Sequence, residues 1–106
     1  MGKYLITASY TADGAKGLLK DGGTKRREAA EQAIKSAGAR MEAFYFAFGD
    51  DDAYVIIDAP DHASVVAASV AINASGAVHS KTVVLLTPED MDHATKKSVT
   101  YRAPGH

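Results

Sequence analysis

The hydrophobic and polar positions along the chain predict four strands and three helices. Four segments rich in β-branched and aromatic residues are typical of strands: 3–10, 40–48, 53–57 and 78–86. Three segments have helical apolar spacing or a capping residue at their start: 24–37, 61–75 and 88–96. We interpret Thr11-Ala12-Asp13-Gly14 as a turn and Asp21-Gly22-Gly23 as a break, after which Thr24 begins the first helix as its N-cap.

The predicted element order is βαββαβ, followed by a short C-terminal helix and a polar arm. With right-handed crossovers, this order indicates an α+β, ferredoxin-like fold in which two helices cover one face of an antiparallel sheet. We expect one domain over residues 1–92 and a C-terminal tail over residues 93–106.

The second predicted strand has apolar residues at nearly every position. Simple alternation directs Phe44, Phe46 and Phe48 to one face of the sheet. The same alternation directs four residues to the other face: Met41, Ala43, Tyr45 and Ala47. Two helices cover only one face, so we expect a second copy on the other, giving a homodimer or higher homo-oligomer. The alternative is that the tail folds back over the sheet. We expect instead that residues 99–101 pack on a neighbouring subunit.

The composition narrows the classes of function. Twelve basic and 13 acidic residues give a formal net charge of −1, which does not favour nucleic-acid binding. No cysteine is present, so disulfides, thiolate metal sites and a cysteine nucleophile are excluded. No apolar run has the length of a membrane span, and the N-terminus lacks the apolar core of a signal peptide. We therefore expect a cytoplasmic protein without membrane partners.

Asp52 and His79 are the candidate catalytic residues. Asp50, Asp51 and Asp52 are three carboxylates in one turn, where oxygen ligands can hold a cation, although aspartates are also common in turns for backbone reasons. We favour the structural reading and expect no metal and no cofactor. His79 carries an imidazole, a group that can act as a general base, unless it is simply a surface residue of the last strand.

Two groups of residues are candidates for binding a ligand. Gly23, Arg26 and Arg27 lie near a predicted helix start, where backbone donors and cations favour an anion. The alternative is a solvated basic turn whose cations pair with Glu28 and Glu31. The second group is four strand tyrosines, which either line a cavity between sheet and helices or pack in the core: Tyr4, Tyr10, Tyr45 and Tyr54.

Several short motifs resemble the GYD domain family of small, uncharacterised bacterial proteins. They lie between Lys3 and Asp92 and comprise Tyr10-Thr11 with Gly14 and Lys16, Arg26 or Arg27, Phe44-Tyr45, Gly49 to Asp52, Asp58-Ala59-Pro60-Asp61 and Ser75-Gly76-Ala77-Val78. Gly49 and Asp52 match the family signature, whereas Asp51 stands where the family usually has a tyrosine. The resemblance implies a fold of the dimeric α+β barrel type, shared by cofactor-free monooxygenases, isomerases and stress-related binding proteins, but no established reaction.

These observations together favour a homo-oligomeric domain that binds a small anionic or aromatic molecule in a pocket at the sheet surface. One alternative is a cofactor-independent enzyme of monooxygenase or isomerase type, in which His79 or Asp52 is the base and Tyr10 or Tyr45 donates a proton. The other alternative is a structural subunit whose apolar sheet face serves only assembly.

Overall fold

A computed structural model describes residues 2–106 and shows a four-stranded antiparallel sheet with three helices. The strands are β1 (Gly2–Tyr10), β2 (Arg40–Phe46), β3 (Ala53–Ala59) and β4 (Val78–Leu85). The helices are α1 (Ala12–Ser36), α2 (His62–Ala74) and α3 (Pro88–Thr95). This arrangement confirms the predicted α+β class and the order βαββαβ with a third helix at the C-terminal end.

The strands lie in the order β2-β3-β1-β4, so β1 and β3 occupy the centre and β2 and β4 form the edges. β1 pairs antiparallel with both β3 and β4, and Tyr4 of β1 lies opposite Ile57 on one side and Val84 on the other. Asp61 and Thr87 cap α2 and α3 as predicted, and Thr87 forms a capping box with Asp90.

The hydrophobic core lies between the sheet and the helices. Tyr4 and Ile6 of β1 pack there with Val55 and Ile57 of β3, and Ile34 of α1 closes the core from the helix side. Ile34 and Ile57 are the largest side chains that are fully buried among residues 2–106. None of the helices formed by residues 2–106 covers the other face of the sheet, which we call the open face.

Helix α1 begins earlier than the sequence predicts. Thr11 is its N-cap, with a side-chain oxygen that accepts a hydrogen bond from the Gly14 backbone N–H at 3.2 Å. The interpretation of residues 11–14 as a turn is therefore wrong. The predicted break is present as a kink at Gly22, whose φ of 80° and ψ of 172° are not helical. Thr24 lies inside the helix, beyond this kink, rather than at its start.

A β-bulge in β2 changes the predicted face of Met41. The register between β2 and β3 shifts between Met41 and Ala43, so one extra residue separates Met41 from Phe44. Met41 consequently lies opposite Ile57 in the core, on the same face as Phe44, and is buried. Phe48 lies beyond the end of β2 and is fully exposed, so it belongs to neither face.

An ion cluster lies on the open face at the β1–β3–β2 end. Asp58 accepts from Arg40 at 2.6 Å and from Lys3 at 3.2 Å, and Lys3 also reaches Glu42 at 2.6 Å. Hydrogen bonding to Lys3, together with both positive charges, lowers the pKa of Asp58 below its ordinary value, against the opposing effect of burial. The two carboxylates raise the pKa of Lys3. These groups join three strands by side-chain contacts.

The C-terminal tail does not cover the open face. Val99 and Tyr101, the residues with the most apolar surface in the tail, are 79% and 76% exposed, so they do not pack on the sheet. None of the helices formed by residues 2–106 is long and apolar enough to cross a membrane.

Candidate functional site

A cavity of about 280 Å³ lies between the helix-covered face of the sheet and helices α1 and α2. All four strands and both helices contribute to it. Its apolar walls comprise Ile6, Ala8, Ala29, Ala30, Ala33, Ile34, Phe44, Ala53, Val55, Ala71, Ile72 and Val78, and its polar lining residues are Tyr10, Arg26, Ser75 and Ser80. The cavity is thus an apolar space with a small number of polar groups, as is typical of ligand pockets.

The small side chains of α1 explain why this space is open. Ala29, Ala30 and Ala33 recur at helical spacing and line the cavity from α1, so the helix places no large side chain in the space at these positions. Ala29 and Ala71, which line this space, are themselves exposed, so it is a pocket that is partly open to solvent. The alanine stripe therefore creates room for a ligand.

Tyr10 and Arg26 supply the polar character of one end of the cavity. Tyr10 is the last residue of β1, and Arg26 lies one turn beyond the Gly22 kink of α1. Burial raises the pKa of the Tyr10 hydroxyl, the Arg26 guanidinium partly opposes this, and the charge of Asp52 adds to the increase. The phenol is therefore a neutral hydrogen-bond donor at neutral pH. Arg26 has a weak ion pair with Asp21, at 3.8 Å.

The hydroxyl groups of Ser75 and Ser80 are already engaged within the chain. Ser75 Oγ donates to the Ile72 carbonyl at 2.7 Å, and Ser80 Oγ donates to Asn73 Oδ1 at 3.2 Å. A ligand would therefore find its strongest polar partners at Tyr10 and Arg26.

A second, more open pocket shares Tyr10 with the cavity. It is lined by Tyr10, Ala15, Leu18, Gly23, Phe46, Ala47 and Asp52. Asp52 Oδ2 accepts the backbone N–H of Tyr10 at 2.8 Å, and the Asp52 N–H donates to the Ala8 carbonyl at 2.8 Å. These bonds join the β2–β3 turn to the end of β1. Asp52 therefore has a clear structural role, in addition to contributing a carboxylate to the pocket.

A comparison with protein-family models matches residues 4–95 to the GYD domain. The chain belongs to the GYD domain family. No curated protein matches it significantly. Some of the residues that carry the family resemblance contact one another. Thr11 caps α1, its hydroxyl donates to the Gly76 carbonyl at 2.8 Å, and its backbone N–H donates to the Ala77 carbonyl at 3.0 Å. In this GYD domain the motif residues therefore join the start of α1 to the α2–β4 turn.

The GYD domain structure brings four of the predicted site residues to one region. Tyr10 and Arg26 line the cavity, and Gly23 and Asp52 line the adjoining pocket. Arg27 lies apart from them, is half exposed and is 3.9 Å from Glu31, which agrees with the solvated alternative for that residue.

The other three predicted residues lie on the open face of the GYD domain. Tyr54 lies opposite Thr7 of β1 and Tyr45 of β2, so these three side chains share one face of the sheet. The residues next to them in the strands, Ala8, Ala53 and Val55, line the cavity on the other face. The expectation that Tyr45 and Tyr54 line a cavity between sheet and helices is therefore wrong, because strand alternation directs them to the opposite side. His79 pairs with Ser9 on the same open face, so it does not share the cavity with Tyr10.

Tyr4 is also outside the cavity of this GYD domain, although it lies on the helix-covered face. Its hydroxyl hydrogen-bonds His62 Nδ1 at 2.7 Å, and its ring meets the His62 ring edge-on. Tyr4 is a core residue, as the alternative interpretation of the tyrosines proposed.

The alanine stripe of this GYD domain, formed by Ala29, Ala30 and Ala33, is the feature of the candidate site that the sequence did not predict. The spacing of Ala29, Ala30 and Ala33 predicted a buried helix face, but not that the face leaves a cavity. The signal was the small volume of these side chains at successive core-facing positions.

Proposed function

We propose that this GYD domain is a homo-oligomeric small-molecule-binding protein whose ligand occupies the cavity between the sheet and helices α1 and α2. The observation that carries the proposal is the combination of an apolar space of about 280 Å³ with a cation and a phenol at one end. A molecule bound in this pocket would cover apolar surface that otherwise contacts water, and would thereby stabilise the folded domain.

The open face supports association with a second copy. Tyr45 is 70% exposed and Val83 is 48% exposed, and both lie on this face with Tyr54. Antiparallel sheets bury such apolar faces efficiently by packing on another sheet. The second copy would cover these residues and leave both cavities intact, because the cavities lie on the far side of each sheet. In this arrangement residues 99–101 pack on the neighbouring copy.

The proposed enzymatic alternative has less support. A base and a proton donor must meet in one cavity, and His79 lies on the open face while Tyr10 faces the helices. Tyr10 and Asp52 remain near each other, but one Asp52 oxygen already accepts the Tyr10 backbone N–H. A structural subunit without a ligand, the other alternative, does not account for the cavity.

Benzene is a suitable first probe because it binds apolar cavities without polar contacts. Titration of the purified protein with benzene, followed by NMR, should shift signals of cavity residues. Ala33→Leu inserts a larger side chain into the cavity and should abolish this binding, whereas Ala67→Leu on the exposed side of α2 should retain it.

Native mass spectrometry of the same preparation measures the number of subunits and the mass of any retained molecule. We expect a dimer or larger assembly. Failure of the wild-type protein to bind benzene, or unchanged binding in Ala33→Leu, would contradict the proposed site. A monomer at high protein concentration would contradict the proposed assembly.

A further inference from the structure

We infer that the cavity selects small apolar monocarboxylates, with the carboxylate at Arg26 and Tyr10 and the apolar part against the alanine stripe of α1. This inference rests on the proposed function and names the chemical class of its ligand. Four properties of the cavity support it: its charge, its hydrogen-bond donor, its polarity gradient and its size.

The charge of the lining indicates an anion. Among the residues that line the cavity, Arg26 alone carries a charge, and its side chain is only 33% exposed. Within residues 2–106, Asp21 is the one carboxylate within 4.0 Å of the guanidinium, and at 3.8 Å it is beyond good hydrogen-bond distance. The guanidinium therefore keeps donors for a ligand carboxylate, which matches its planar geometry.

The Tyr10 hydroxyl supplies a neutral donor beside that cation. A tyrosine keeps its proton at neutral pH, and burial and the charge of Asp52 raise the pKa of Tyr10 further, although Arg26 acts in the opposite direction. A protonated phenol donates to a carboxylate oxygen without adding a negative charge. Arg26 and Tyr10 together therefore complement one carboxylate, while a second negative charge on the ligand would have no partner of its own in the lining.

The polar and apolar ends of the cavity are separated along two of the elements that line it, β1 and α1. Ile6 precedes Tyr10 by four residues on β1, a distance of about 13 Å along an extended strand. Ile34 follows Arg26 by eight residues on α1, about 12 Å along a helix. Because Ile6 and Ile34 belong to the same core cluster, both elements run from the polar end to the same apolar end.

The size and lining of the cavity limit the rest of the ligand. A volume of about 280 Å³ exceeds the roughly 150 Å³ that suffices for benzene, so one ring with a short side chain fits. Sugars and other polyhydroxylated anions would place hydroxyl groups against alanine, isoleucine and valine side chains without hydrogen-bond partners, which is unfavourable. A ring or short aliphatic chain with one carboxylate satisfies both ends.

The test compares benzoate with benzyl alcohol, a neutral molecule of similar size, by calorimetric titration at pH 7. We expect benzoate to bind at least about tenfold more tightly to the wild-type protein, since hydrogen bonds to charged groups are stronger than neutral ones. Arg26→Met removes the charge but keeps most of the stem, and should abolish this preference while leaving benzyl alcohol binding within a few-fold. Arg27→Met removes the neighbouring, outward-facing cation and should retain the preference.

The possible outcomes separate this inference from the proposed function. Equal binding of benzoate and benzyl alcohol to the wild-type protein would overturn the ligand class and leave the cavity as a binding site for neutral molecules. An unchanged benzoate preference in a folded Arg26→Met variant would also overturn it. Absence of binding for benzoate, benzyl alcohol and benzene alike would overturn the proposed function itself. The wild-type comparison needs no variant, so a folding defect in Arg26→Met does not prevent a decision.

Discussion

Gly14 lies where the first turn of α1 crosses the turn between α2 and β4. A Cβ atom at this position would overlap the backbone carbonyl oxygen of Ala77 and would lie 2.9 Å from Cδ1 of Tyr10. The Ala77 oxygen is also the acceptor for the Thr11 N–H at 3.0 Å. Gly14→Ala therefore forces a backbone segment to move and disturbs a hydrogen bond that holds the helix start in place.

The expected magnitude follows from three contributions. Overpacking of a well-packed site costs about 1–3 kcal/mol, and weakening one backbone hydrogen bond costs about 1 kcal/mol. Alanine offsets at most about 1 kcal/mol of this through its higher helix propensity. We expect Gly14→Ala to lower the free energy of unfolding by about 1–3 kcal/mol, which for a domain of this length is a decrease in Tm of roughly 4–12 °C.

Gly17→Ala is the matched control because Gly17 lies in the same helix, and a Cβ atom there would have no neighbour within 4 Å. It should raise stability by up to about 1 kcal/mol through helix propensity alone. Equilibrium denaturation with urea, followed by circular dichroism, measures both variants. If Gly14→Ala were as stable as the wild-type protein, the packing explanation for this glycine would be wrong.

Two further predictions concern the open face. Asp58→Asn removes the carboxylate shared by Lys3 and Arg40. The pKa of Asp58 is lowered in the folded protein, so the wild-type carboxylate stabilises the fold fully above the ordinary aspartate pKa near 3.9. This stabilisation is lost as the pH falls through the lower folded-state pKa. The variant should therefore have a lower Tm than the wild type at pH 7, and the difference should shrink below about pH 4; a constant difference from pH 7 to pH 3 would contradict this assignment. Tyr54→Lys places a charge in the proposed sheet-to-sheet interface and should weaken association at least about tenfold in sedimentation measurements, whereas Val70→Lys, at an exposed apolar position of α2, should not. The reverse result would place the interface on α2 instead.

The elements that local chemistry determines could be predicted from the sequence. Asp61 and Thr87 cap helices through bonds to residues three positions later, so the signal and its consequence lie in the same short segment. The β-branched and aromatic residues of β1 and the glycine and aspartates of the Gly49 to Asp52 turn are likewise local signals. Element order and sheet class follow from such signals.

Features that depend on distant contacts could not be predicted in this way. Gly14 resembles a turn glycine, but it is required by Ala77, which is 63 residues further along the chain. The bulge that redirects Met41 depends on its pairing with β3, and alternation alone assigns it to the wrong face. The candidate site was predicted in part for the same reason: Tyr10 and Arg26 carry recognisable polar chemistry, whereas the cavity beside them depends on how α1 packs on the sheet.

The position of β1 has a consequence for how the chain folds as it is made. β1 is the first strand in sequence, yet it is central and its partners are β3 and β4, so its second edge stays unpaired until residues 78–85 have been added. At typical rates of synthesis, about 5–20 residues per second, the interval between completing Tyr10 and reaching Val78 is roughly 3–14 s. Throughout that interval a strand edge that is later buried is available to other nascent chains. The final strand therefore both completes the sheet and ends this exposure.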